Sequence, residues 1–131
     1  DPSIANIVGM ENVLIGKIVD RSEGLVSIKV AESTLVALDT GVTGPEAAVC
    51  IRAEEVILEK GIAPESSARN RFAGRIIDIS PQDVIVKLTL DCGFPLVVLI
   101  TKRSFVDMSI EIGSKLTASI KAQAIHILQH D

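Results

Sequence analysis

The chain has 131 residues, a net charge of −4 and 47% apolar residues, yet only 2% aromatics, with neither Trp nor Tyr. The acidic balance argues against a general nucleic-acid or anionic-membrane surface, and no stretch approaches the roughly 18 uninterrupted apolar residues of a membrane-spanning helix. A core built from Val, Ile, Leu and Ala with so few rings suits small, tightly curved β barrels.

In chain order, strands are predicted at 13–19, 25–30, 34–38, 47–52 and 55–59, with a Gly41–Pro45 loop between the third and fourth. A turn-rich segment, Gly61 to Ser67, then marks a boundary. Strands follow at 71–79, 84–90, 95–100, 115–120 and 124–128. Val84, Val86, Leu88 and Leu90 alternate with Ile85, Lys87 and Thr89, which gives one apolar face. Asp91-Cys92-Gly93 reads as a turn. Ser104 to Ser109 has the spacing of one or two helical turns, ended at Gly113. Phe94 to Ile100 is apolar on both faces, as expected of a strand covered on both sides.

The two sets of strands are copies of one unit. Residues 12–30 align with 70–88 at an offset of 58, and 7 of the 19 pairs are identical, Asn12/Asn70 and Gly16/Gly74 among them. The offset grows to 61 at Leu35–Leu38 against Leu96–Leu99, and to 69 at Ile51–Ala53 against Ile120–Ala122, so the second copy carries insertions. Three strands, a short helix and two more strands is the order of an OB-type barrel. The expected fold is therefore all-β, two tandem OB-fold-like small barrels with one short helix in the second copy, divided as 1–62 and 63–131. Strands of tandem barrels can be exchanged between copies or subunits, so the sequence boundary need not be the spatial one.

Residues 1–62 hold ten acidic and five basic residues, and 63–131 hold seven and eight, so an anion meets less repulsion in the second copy. That copy opens on Ser67-Ala68-Arg69-Asn70, a hydroxyl, a guanidinium and an amide where a loop enters a strand. Main-chain N–H groups at such a turn, with Ser67 and Arg69, suit a compact anion, although a Ser-x-Arg cluster at a strand entry is also a common structural feature. Three phenylalanines (Phe72, Phe94, Phe105) without a basic run do not make a base-stacking groove. His126 and His130 lack the Glu of a zinc-protease motif and are expected to face solvent, and no phosphate-cradling G-x-x-x-x-G-K-[ST] occurs. Neither catalytic nor metal-ligating residues are assigned. Cys50 and Cys92 have no metal-ligand spacing and are expected to be buried, reduced thiols.

Ser67-Ala68-Arg69-Asn70, then Gly74, then Ile120-Lys121-Ala122, resembles the molybdate/tungstate-binding Mop/TOBE domain family, and the resemblance covers nearly the whole chain. It implies Mop-type barrels and no cofactor beyond a molybdate or tungstate ligand. The implied ligand set is Ser67, Ala68, Arg69 and Asn70, the Lys121-Ala122 turn with Gln123, and a hydroxyl at the helix start, Thr101 first and Ser104 second. Gln123 departs from the small hydroxyl residue common after the Lys-Ala pair. The first copy has lost the motif: Gly9, Met10 and Glu11 stand where Ser67, Ala68 and Arg69 stand in the second, and Arg52 replaces Lys121.

Gly9-Met-Glu-Asn12 and Ile51–Leu58 resemble the start of the C-terminal region of importer ATPases, with Ala53 in place of a usual proline. The implied role is the C-terminal regulatory domain of a molybdate/tungstate ABC importer ATPase. It would be cytoplasmic, peripheral to the inner face of the membrane through a permease, joined to an ATPase domain and paired as a homodimer. A chain opening on Asp-Pro rather than Met fits a piece of a longer protein. Two alternatives stay open: a free tandem molbindin for storage, and a ligand-free dimerisation module of a sugar-type importer ATPase. The preferred oxyanion, and whether its site lies within or between chains, are left open by the sequence.

Overall fold

A computed structural model describes residues 11–61 and 70–130. The first copy supplies β1 (Glu11–Ser22), β2 (Leu25–Val30), β3 (Ser33–Leu38), β4 (Glu46–Arg52), a 3-10 turn (Ala53–Glu55) and β5 (Ile57–Lys60). The second supplies β6 (Asn70–Gln82), β7 (Ile85–Asp91), β8 (Pro95–Thr101), helix α1 (Lys102–Asp107), β9 (Lys115–Ile120), a second 3-10 turn (Ala122–Ala124) and β10 (Ile125–Gln129).

The chain folds into two five-stranded antiparallel sheets, ordered β10-β4-β1-β2-β3 and β5-β9-β6-β7-β8. Each therefore takes its fifth strand from the other copy. β10 pairs with β4, Ile125 opposite Ile51, and β5 pairs with β9, Ile57 opposite Ser119. β10 also packs near β3, curling the first sheet toward closure in the OB order. The expected all-β pair of small barrels with one short helix is what the structure contains.

Alternation builds each sheet. In β7 the inward residues Val86, Leu88 and Leu90 are fully buried, while Ile85, Lys87 and Thr89 are half-buried. Val84, expected on that apolar face, is 76% exposed, because Asp83 takes a positive φ of 61° in the hairpin turn and Val84 lies before the ladder begins. Both sheets feed one continuous core that includes Ile28, Leu35, Val49, Ile51, Leu88, Leu96, Val98 and Ile120. Phe72 and Phe94 meet edge to face at 5.7 Å.

The long first strand of each copy bends at the same place. Register shifts between Ile18 and Asp20 in β1, and between Ile76 and Asp78 in β6, mark bulges that leave Val19 and Ile77 more than half exposed. Gly16 and Gly74 sit just ahead of them. A Cβ at Gly16 would stand 2.8 Å from the Lys29 carbonyl oxygen, and one at Gly74 would stand 2.5 Å from that of Asp91, so only glycine admits the close strand approach.

The copies differ between their third and fourth strands. In the second, α1 begins two residues before its expected start, capped by Thr101, and Phe105 and Met108 pack against the core. In the first, a loop crosses instead. Arg21 holds it, with a 2.7 Å bond to Asp39 Oδ1 and a second donated to the Val42 carbonyl. Asp39 also accepts from Gly41 N, and these bonds lower its pKa, the Gly41 N–H contributing most and the Arg21 guanidinium next. Ile79 stands at the place of Arg21 in the second copy, half-buried and packed on the core.

Candidate functional site

Asn70 is the first described residue of the tetrapeptide; Ser67, Ala68 and Arg69 lie outside the described residues. Asn70 opens β6 directly opposite Ile120, the residue before Lys121. Asn70 and the Lys121-Ala122 turn, some 50 residues apart in sequence, thus converge at one end of the β6–β9 ladder.

The Asn70 side chain is 1% exposed and fully used by backbone. Its Oδ1 accepts from Val36 N at 2.7 Å, and its Nδ2 donates to the Val36 and Ile120 carbonyls at 2.9 and 3.0 Å. Asn12 does the same from the first copy: Oδ1 accepts from Val97 N at 2.7 Å, and Nδ2 donates to the Val97 and Ile51 carbonyls at 2.9 and 3.2 Å. Each asparagine therefore latches its own first and fourth strands to the third strand of the other copy. Among the described residues no buried side-chain nitrogen or oxygen lacks a partner. The side chain of Asn70 is a fastener between copies, which leaves only its main chain free of that duty. The resemblance put Asn70 in the ligand set; its retention in both copies, where the rest of the motif survives in one, is the signal that could have shown this fastening role.

Lys121 precedes the second 3-10 turn in extended conformation, and its carbonyl accepts from Ala124 N at 2.9 Å. Ala122 is buried, and Lys121 and Gln123 are exposed. Lys121 and Gln123 line a cleft of about 290 Å³ together with Arg52, Glu55, Ala124 and His126. Arg52 holds the equivalent position before the first 3-10 turn, where it pairs across the ladder with Glu11; their side chains approach to 3.9 Å.

Thr101 lies elsewhere, capping α1. Its Oγ1 accepts from Ser104 N at 3.1 Å and donates to Ser104 Oγ at 3.0 Å. Both hydroxyls face a larger, mainly apolar cleft of about 460 Å³, lined by residues that include Val56, Leu58, Leu99 and Met108. Within one chain, the structure brings Lys121 and Gln123 into one cleft and Thr101 and Ser104 into another.

Cys50 and Cys92 are buried free thiols. Burial raises both pKa values, that of Cys92 to about 11, with the Glu11 charge adding at Cys50 and the Asp91 charge at Cys92. His126 is exposed, as expected. Among the described residues no helix is long and apolar enough to cross a membrane.

Residues 66–127 match the model of the TOBE domain. The chain is 34% identical over 126 residues, 95% of its length, to the molybdate/tungstate import ATP-binding protein WtpC of Pyrococcus horikoshii. It is 28% identical over 128 residues, 97% of its length, to the protein of the same name from Pyrococcus abyssi. It spans about a third of each of these relatives, 34% and 35%. In fold it is similar to the crystal structure of the cytoplasmic molybdate-binding protein ModG with molybdate bound, with a TM-score of 0.76 at 20% identity, covering 91% of this chain and 96% of that one. The TOBE match thus falls within the second copy, the one that carries Asn70 and the Lys121-Ala122 turn.

Proposed function

We propose that this chain is the oxyanion-binding regulatory region of a molybdate/tungstate importer ATPase, with its binding determinants in the second copy. The observation that carries this reading is the pairing of Asn70 with Ile120, which sets the end of the tetrapeptide beside the Lys121-Ala122 turn. A dianion leaving water needs several charge-assisted donors at once. Lys121 and Gln123, which share one cleft, are the described side chains that supply such donors. The two relatives whose names specify molybdate/tungstate import support the transport context.

On this reading the region has no hydrolytic activity of its own, and nucleotide chemistry belongs to an attached ATPase domain. The whole works at the cytoplasmic side of a membrane permease. The region pairs with a second chain of its own kind: Ile15 and Leu128, both opposite Ala48, and Val13, two residues before Ile15, form an exposed apolar patch on the outer face of the first sheet. A storage role is the second reading, favoured by the nearly end-to-end match to ModG. The full-length gene separates the two, since only a transporter subunit carries a nucleotide-binding domain in the same chain.

The test is calorimetric titration of the chain with molybdate, tungstate, sulfate and phosphate. Tight binding of the first two over the others is expected. Heats no larger than dilution for all four would leave a purely structural module.

A further inference from the structure

The cleft beside Lys121 is built by both copies. β10 leaves its own copy to pair with β4, His126 opposite Cys50, and this carries the second 3-10 turn alongside the first. Arg52 and Lys121 are equivalent residues, each extended just before its turn, with φ/ψ of −69/134° and −70/146°. The exchange brings these two repeat-related cations to a single cleft, where Gln123 and His126 add side-chain donors and Glu55 is the one lining carboxylate among the described residues. At about 290 Å³ the cleft has room for a small ion.

Two cations lining one cleft repel each other unless an anion lies between them. Glu55 lines the cleft but forms no ion pair with either cation among the described residues, and Glu11, outside the lining, holds its Oε1 3.9 Å from Arg52 Nε, beyond hydrogen-bonding reach, with both side chains about half exposed. Such a pair is a weak competitor for a guanidinium whose planar fork suits two oxygens of a tetrahedral dianion.

We infer that Arg52, from the copy that has lost the motif, is a binding residue of the Lys121 cleft, so that one oxyanion is held by cations from both copies. This rests on the oxyanion reading above and adds a residue to it. Glu11 then tunes the site by competing for Arg52.

The test is calorimetric titration of sodium molybdate into the whole chain and its Arg52→Gln, Arg52→Lys, Lys121→Gln and Glu11→Gln variants at one pH and ionic strength. Arg52→Gln should weaken binding about tenfold, much as Lys121→Gln does, with Arg52→Lys between it and wild type. Glu11→Gln should strengthen binding about two- to threefold, because it frees the guanidinium. That opposite sign separates a binding role from a structural ion pair, and it stands even should Arg52→Gln fail to fold. Wild-type affinity in Arg52→Gln beside a loss in Lys121→Gln would overturn the assignment of Arg52 and leave the oxyanion reading intact. Equal weakening in Arg52→Gln and Glu11→Gln would overturn it too. A wild-type chain that binds no molybdate would overturn the oxyanion reading itself, and the role of Arg52 with it.

Discussion

In the first copy Glu11 stands across the ladder from Arg52, a carboxylate of the chain's own beside the cation; by the repeat, Arg69 and Lys121 hold those places in the second. Both copies nevertheless keep the asparagine one residue further on, and both use it identically, to bind the third strand of the opposite copy. The copies also keep the bulge, the glycine before it and the 3-10 turn. What is held in common is what joins the barrels. What differs is charge at the ladder end and the element, loop or helix, that follows the third strand. Frame and chemistry have separated within one chain, and the comparison can be broken by treating equivalent residues alike.

The largest effect is expected at the latches. Asn70→Ala removes three hydrogen bonds and leaves backbone groups of Val36 and Ile120 unpaired, a loss of about 2–4 kcal/mol in a denaturant melt. Asn12→Ala should cost about as much, since its three bonds to Val97 and Ile51 are the counterparts. A neutral Asn12→Ala beside a damaging Asn70→Ala would mean that the two asparagines do different work.

Next comes the thiol of Cys92. Burial raises its pKa from 9.0 to about 11, so the unfolded chain loses this proton first as pH rises. Stability from this group is complete below about pH 9 and falls as pH climbs through 11, by up to about 2–3 kcal/mol. Melts at pH 8, 9.5 and 11 should show wild type losing more than Cys92→Ala over that range, and parallel losses would refute the buried-thiol account. The smallest effect concerns the element found in one copy only. Thr101→Ala deletes the α1 cap and should cost about 1 kcal/mol, with Thr101→Ser restoring most of it. Full stability in Thr101→Ala would show that the helix does not depend on its cap.

Most of the fold was legible because its causes are local. Period-two alternation, turn residues such as Asp91-Cys-Gly93 and the repeat itself placed the ten strands within two residues of their bounds, apart from the C-terminal ends of β1 and β6, each three residues longer. The exchange of β5 and β10 was foreseen as a possibility, but the sequence had no means of choosing it. Two copies with the same alternation offer β4 and β9 equally good partners, and the choice is made by packing across the whole molecule. The site was legible by halves. Asn70 and the Lys121-Ala122 turn meet at one ladder end, but Thr101, the hydroxyl expected from the resemblance at the helix start, faces a different cleft. In sequence Arg52 is only the first copy's replacement for Lys121, because its approach to the Lys121 cleft depends on the same non-local exchange. Ser67 to Arg69 lie outside the described residues.

The central claim is that one copy retains the oxyanion chemistry and the other its frame. Its most direct measurement is the stoichiometry and affinity of molybdate binding, by isothermal titration of the wild-type chain and of Lys121→Ala. The account predicts about one tight site per chain, weakened ten- to a hundredfold in the variant by loss of a charge-assisted bond of about 1.5–3 kcal/mol. Two equal sites per chain, or an unchanged affinity in Lys121→Ala, would contradict it.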